Sequence, residues 1–268
     1  MILQFRLWHL LALVAWLALA VWLLQHLFVG FLGRRIEPEF YSKFQAAQQA
    51  FDTASSSVDF LKAAALYQEI LDAGVVSGVV LYNQGNAFMR GGYRGRAVAC
   101  YLQAQRYRPR DPYLDANLLN ALGERGPRTK SKPVIEYVLF WLDWISYPGK
   151  FELTTCAALA TLALAVTSLF WRRPTFKYLA VVALGLTLVV ALSAAYDWYR
   201  FSHLRHGVVI HDATIARKGN ADSFEPAFTK PLTEATEFQL LEHRGAWLLI
   251  RLSGSQEGWI PRQAAVVF

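Results

Sequence analysis

Apolar positions fall into three kinds of pattern along the chain. Leu7 to Leu24 is an unbroken uncharged run, and Leu153 to Trp171 and Tyr178 to Tyr196 are two more, of 19 residues each. At 1.5 Å of rise per residue, such a run spans the hydrocarbon core of a bilayer. The pattern therefore predicts an uncleaved anchor over 1–35 and a transmembrane helical hairpin over 151–197. A cleaved signal peptide is the rival reading of the first run. Its apolar region should be only about 7–15 residues long, however, and here Ala18-Leu19-Ala20 is followed by more apolar chain. A buried soluble hairpin is the rival for the other two runs. Between the anchor and the hairpin the spacing is helical, and after His206 it alternates. Gly207 to His211, Thr236 to Glu242, Ala246 to Leu252, Glu257 to Ile260 and Ala264 to Phe268 read as short strands. His243-Arg244-Gly245 and Ser253-Gly254-Ser255 supply turns between them. Several short strands in one small segment predict a barrel over 206–268 that removes its own edges.

The helical region 38–123 carries a spaced motif. Leu81-Tyr82-Asn83-Gln84-Gly85-Asn86-Ala87-Phe88 is followed by Gly91-Gly92-Tyr93 and then by Ala97, Tyr101, Ala104 and Pro109, which resembles the tetratricopeptide (TPR) repeat. Gly85 and Ala97 would let two helices approach closely, Phe88 and Tyr101 would fill the space beside them, and Pro109 would end the second helix. One period of about 34 residues earlier, Ala63, Tyr67 and Ile70 fit, while Phe51 stands where a small residue belongs and Val75 where the proline belongs. One period later, only the helix from Pro112 to about Leu122 remains. An array of two and a half repeats is too short to bury a continuous core, so it is expected to lean on a membrane-proximal segment or a partner. Asn83 and Asn86 recur as Asn117 and Asn120, on the helices that line the groove of such arrays. With Arg90 they are the candidate partner-binding residues, because each amide offers two donors and an acceptor to a peptide backbone. The alternative reading is that asparagine is common at such repeat positions for general reasons.

The linker and interfacial stretch 124–150 includes Pro133 to Tyr147, which reads as a helix started by its proline and stopped by Pro148-Gly149. Tyr137, Phe140, Trp141, Trp144 and Tyr147 surround a thin polar stripe of Glu136 and Asp143. Such a helix suits the plane of the headgroups or the underside of the helical module. Arg172, Arg173 and Lys177 in the hairpin turn, with Arg6, put that turn and the N-terminus in the cytoplasm and both flanking domains outside; Arg34-Arg35 argue the other way.

Apolar residues make up 54% of the 268 and mean hydropathy is +0.24. Most of that excess sits in the three runs, which leaves two small domains rather than one large core. From Arg90 to Lys132 there are ten Lys/Arg against three Asp/Glu. Nucleic acid is the reflex reading of such a stretch, but the membrane setting favours anionic headgroups, an acidic partner or a solvated face. Cys100 and Cys156 do not suit a disulfide, and neither has a local partner that would make it a nucleophile. No His-Glu-x-x-His occurs, and the glycines of 85–95 follow no strand. His203, His206 and His211 straddle a helix-to-strand break and show no pattern of supporting partners, so they suit the membrane surface better than a metal. The expectation is a non-enzyme with no cofactor, no metal, no nucleic acid and no small-molecule substrate.

Trp247 and Gly258-Trp259-Ile260-Pro261 are similar to bacterial SH3-like domains, with both tryptophans expected in the core; Ala235 stands where glycine is common. The order of anchor, TPR, hairpin and SH3-like domain resembles BatE-type proteins of the Bacteroides aerotolerance (Bat/MoxR) operons. The fold class implied is a multi-domain membrane protein, a helical TPR module with three transmembrane helices and a small all-β barrel. The resemblance implies an inner-membrane scaffold with its TPR and SH3-like domains on the periplasmic side. Its implied partners are von Willebrand factor A-domain membrane proteins, a BatD-type protein and a MoxR-type ATPase. The alternative is a membrane-anchored module that binds peptidoglycan.

Overall fold

The computed structural model describes residues 38–123, 144–171 and 173–268. The predicted anchor over 1–35 and most of the linker and interfacial helix lie outside them. The described chain is mostly helical, with one antiparallel five-stranded sheet near its end. It forms two compact units. One contains Pro148–Ala195; the other is assembled from Ser42–Tyr147 and Tyr196–Phe268.

Among the described residues five helices precede the apolar pair: α1 (Pro38–Thr53), α2 (Ser57–Asp72), α3 (Gly78–Arg90), α4 (Arg94–Gln105) and α5 (Pro112–Leu122). Their starts are set locally. The Ser56 hydroxyl accepts from the Asp59 N–H at 3.2 Å, Ser77 from Val79 at 3.3 Å, and Asp111 from Tyr113 and Leu114 at 3.0 and 3.1 Å. Each satisfies an N–H that has no partner within the helix. Gly92, at φ 86°, turns the chain between α3 and α4. Consecutive helices pack along the series from α2 to α5. The reason for Gly85 is visible in its surroundings: a Cβ there would lie 2.5 Å from Cε1 of Tyr101. Helix α4 stops at Gln105, before Pro109, and turn bonds from Tyr107 and Arg108 to the Ala104 carbonyl carry the chain onward.

Strands β1 (His206–Val209), β2 (Glu237–Arg244), β3 (Trp247–Arg251), β4 (Glu257–Pro261) and β5 (Ala265–Val267) lie in the order β4-β3-β2-β1-β5. Each falls within a residue or two of the alternating segments. Beyond β1 the chain returns to β4, where Arg217 and Trp259 exchange backbone hydrogen bonds of 2.8 Å. Val209, Phe238, Leu248, Ile250 and Ile260 fill the inside. Leu248 and Ile250 point inward, so alternation turns Trp247 to the other side, where it is only half-buried. The expectation that both tryptophans are core is thus corrected for Trp247. Trp259 is buried, at 9% exposure, outside the main cluster and under the Arg244 guanidinium. Ala235, where glycine is expected, does adopt a left-handed φ of 67°.

The helices and the sheet share one core, which corrects the expectation of two small soluble domains. Val208 and Ala235 join Leu81, Val98, Tyr101, Leu114 and Leu118 in a single cluster. On β1, Val208 faces the helices while Val209 faces the inside of the sheet, and both are fully buried. A strand covered on both faces reads as a continuous apolar run. Helix α4 is likewise buried nearly all round: Ala97, Val98, Ala99, Cys100, Tyr101 and Ala104 are all inside. The helical array therefore leans on the sheet, and α4 supplies the joint. At Gly95 a Cβ would lie 2.5 Å from the Val209 carbonyl oxygen. The Gly95 N–H donates to Glu234 Oε1 at 2.7 Å. Tyr93, the cap of α4, offers no side-chain bond, so a carboxylate from the sheet side takes that place at the positive end of the helix.

Two helices, α6 (Tyr147–Phe170) and α7 (Pro174–His203), are long and apolar enough to cross a membrane. Pro148 and Gly149 lie in the first turn of α6, which begins at Tyr147, where proline is tolerated because its missing N–H has no partner there. Helix α7 begins at Pro174 and runs past Tyr196. The Thr161 and Thr187 hydroxyls are 2.9 Å apart and join the two helices. Apolar side chains such as Leu169, Val181, Leu186 and Leu192 are exposed along them.

Candidate functional site

Helices α1, α3, α4 and α5 bound a cavity of about 440 Å³ lined by Phe51, Asn86, Met89, Arg90, Tyr101, Asn117 and Asn120. Four of the five residues singled out in the sequence come together here. Asn83 does not line it; its amide donates to Gln48 Oε1 at 3.4 Å, an oxygen that also accepts from Tyr67 at 3.0 Å. Asn86 and Asn117 are partly committed to each other. Asn86 Oδ1 accepts from Asn117 Nδ2 at 2.9 Å and from the Tyr101 hydroxyl at 2.8 Å, and Asn117 Nδ2 also donates to Tyr82 at 3.0 Å. This chain fixes both amides and leaves Asn86 Nδ2 as a donor and Asn117 Oδ1 as an acceptor for a ligand. Asn120 and Arg90 are exposed at the rim, with the Arg90 guanidinium 5.8 Å from the Phe60 ring.

Phe51, Met89 and Tyr101 were not singled out as site residues. Phe51 had a signal: it broke the repeat pattern by placing a large ring at a small-residue position. Burial pushes the Tyr101 hydroxyl well above the ordinary tyrosine range, so at neutral pH it is a fixed donor. Among the described residues the lining supplies one cation, amide groups and apolar surface, and no carboxylate. That combination suits recognition of an extended segment by hydrogen bonding and burial.

Most of the arginines in the basic stretch hold the fold. The Arg94 guanidinium donates to the Ala121 and Leu122 carbonyls and closes the end of α5. Arg96 lies over Phe88, Arg106 over Phe201 at 4.5 Å and Phe268 at 5.3 Å, Arg108 over Tyr82, and Arg110 over Trp144 at 4.9 Å. Arg108 also pairs with Asp111. Cation–π contacts of this kind are worth roughly 0.5–2 kcal/mol each. Sequence counting could not separate such arginines from a surface patch. His203 stacks on Tyr199 and His206 Nδ1 lies 2.8 Å from the Leu204 carbonyl. Among the described residues no group of three His, Cys, Asp or Glu is placed to hold a metal ion.

Comparison with family models, curated proteins and solved structures returns no match.

Proposed function

We propose that this chain is a non-enzymatic inner-membrane scaffold that holds an extended segment of a protein partner in the groove of a TPR-type helical array. The single observation behind this reading is the cavity that gathers Asn86, Arg90, Asn117 and Asn120 around apolar walls. A second consideration concerns the membrane. Residues 42–123 and 206–268 share a core and so lie on one side of any bilayer. The two apolar helices between them give the even number of crossings this requires. The charge bias of the turn residues Arg173 and Lys177 favours the cytoplasm for the turn and the periplasm for the shared unit. The β-domain, of SH3-like pattern, serves in this reading as the support on which the short array rests. The order of segments keeps a BatE-type scaffold of a Bat/MoxR membrane complex as the proposed setting. Its partners there would be von Willebrand factor A-domain proteins, a BatD-type protein and a MoxR-type ATPase.

The test is affinity purification from mild detergent of wild type beside the double variant Arg90→Ala/Asn120→Ala, with mass spectrometry of what is retained. These two side chains are exposed, so the fold is spared. Losing two contacts should weaken retention of a specific partner about five- to a hundred-fold. Equal retention by a folded double variant would remove the groove from the reading.

A further inference from the structure

We propose that the open edge of β5 accepts an extended segment of a protein partner as a sixth strand, in the cleft between that edge and helices α2 to α4. This surface shares no residue with the groove described above and lies at the joint between the helices and the sheet.

Among the described residues strand β5 pairs with β1 on one side only. His206 and Phe268 exchange both backbone hydrogen bonds, at 3.2 and 2.9 Å, and the Ile210 N–H donates to the Ala264 carbonyl at 2.9 Å. Bonded and non-bonded pairs alternate along an antiparallel ladder. With Val208 opposite Val266 and Gly207 opposite Val267, the first pair is bonded and the second is not. The N–H and C=O of Val267 therefore point away from β1. The Ala265 carbonyl points the same way, while its N–H is taken by the Arg262 carbonyl.

Natural sheet edges are commonly blunted by charge, proline or a bulge. Ala265-Val266-Val267 has no charge and no proline. Beside it lies a cavity of about 340 Å³ whose walls include Val267, Leu71, Val76 and Phe88. Among the described residues of that lining Arg96 is the one that carries a charge, and no carboxylate accompanies it. The surface thus offers outward backbone groups, apolar walls and a cation. It fits an extended partner segment with apolar side chains at alternate positions and an acidic residue between them. Main-chain bonds would supply affinity and the walls specificity, as in other strand additions.

The probe is a capped, fluorescent heptapeptide, Val-Thr-Val-Glu-Val-Thr-Val, titrated by anisotropy against the full chain in detergent micelles. Its controls are the same peptide N-methylated at alternate residues and a version with lysine for glutamate. Saturable binding is expected, weakened about tenfold or more by N-methylation, because the methyl groups remove backbone donors. Val267→Pro should weaken binding similarly in a chain that still folds, since the lost N–H takes no part in the β1 ladder, with a somewhat lower melt because Val267 packs against the core of the sheet. Arg96→Glu should weaken the glutamate peptide and favour the lysine one. Equal binding of the N-methylated peptide, or no saturable binding at all, overturns the proposal. So does undiminished binding to folded Val267→Pro. Loss of binding on Arg90→Ala/Asn120→Ala, with Val267→Pro unaffected, would place the peptide in the other groove and equally overturn it.

Discussion

At the scale of single residues, two glycines carry the close approaches. A methyl group at Gly95 would meet the Val209 carbonyl, and one at Gly85 the Tyr101 ring. Gly95→Ala is expected to destabilise the shared unit by about 1–3 kcal/mol, as overpacking against backbone does. Gly185→Ala, where nothing lies within 4 Å, should be neutral or slightly stabilising. Denaturant titration in a fixed detergent, with α-helical signal as the readout, checks both. Buried acids give a second expectation. Burial pushes the Cys100 thiol from 9.0 up to about 12 and the Tyr67 hydroxyl from 10.0 up to about 12. Both are neutral in the folded chain and ionise more readily when unfolded. Their contribution is therefore fully present below pH 9 and is lost as pH rises from there towards 12. The melting temperature should fall through this alkaline range, less steeply in Cys100→Ala above pH 9. The same thiol should resist alkylation at pH 8 until the chain unfolds.

At the scale of elements, much was legible because local rules and burial agree. The helix from Pro112 to Leu122 lies where the sequence places it, Gly92 falls at a turn, and alternation outlines the five strands. What sequence could not show was which side of a strand faces what. Trp247 sits in a motif that suggests a core residue, yet its neighbours Leu248 and Ile250 take the inward register. Ile250→Ala should cost about 2–5 kcal/mol, and Trp247→Ala distinctly less, by thermal or denaturant unfolding. An equal loss for both would mean that Trp247 packs inward after all. The site was legible to a similar degree. The 34-residue recurrence located Asn86, Asn117 and Asn120, but the hydrogen bond that Asn117 donates to Asn86 depends on side-chain geometry that no spacing encodes. The same holds for the arginines, whose aromatic partners come from distant segments.

At the scale of the whole chain, the proposed topology has a direct check. With Cys100→Ala and Cys156→Ala as background, cysteine at Tyr113 or Ser255 should react with an impermeant thiol reagent in spheroplasts. Cysteine at Arg173 should react only after the membrane is opened. Tyr113 is 75% exposed, so it reports access and not burial. Labelling of Tyr113→Cys without Ser255→Cys would separate two segments that share a core, and would contradict the even number of crossings.

The core that joins α4 to β1 also constrains the order of events during biogenesis. Leu81, Val98 and Leu114 meet Val208 only across more than 90 residues of chain that include both apolar helices. Closing so long a loop is slow compared with forming local helix pairs. Until the chain beyond the two apolar helices has been made and the sheet has formed, α4 must carry an uncovered apolar face. A nascent chain halted after residue 123 should therefore be a ready substrate for proteases and chaperones, and completion of the sheet becomes the checkpoint that ends this exposure. Pulse-chase of such a stalled chain beside the full one should show the shorter product disappearing first.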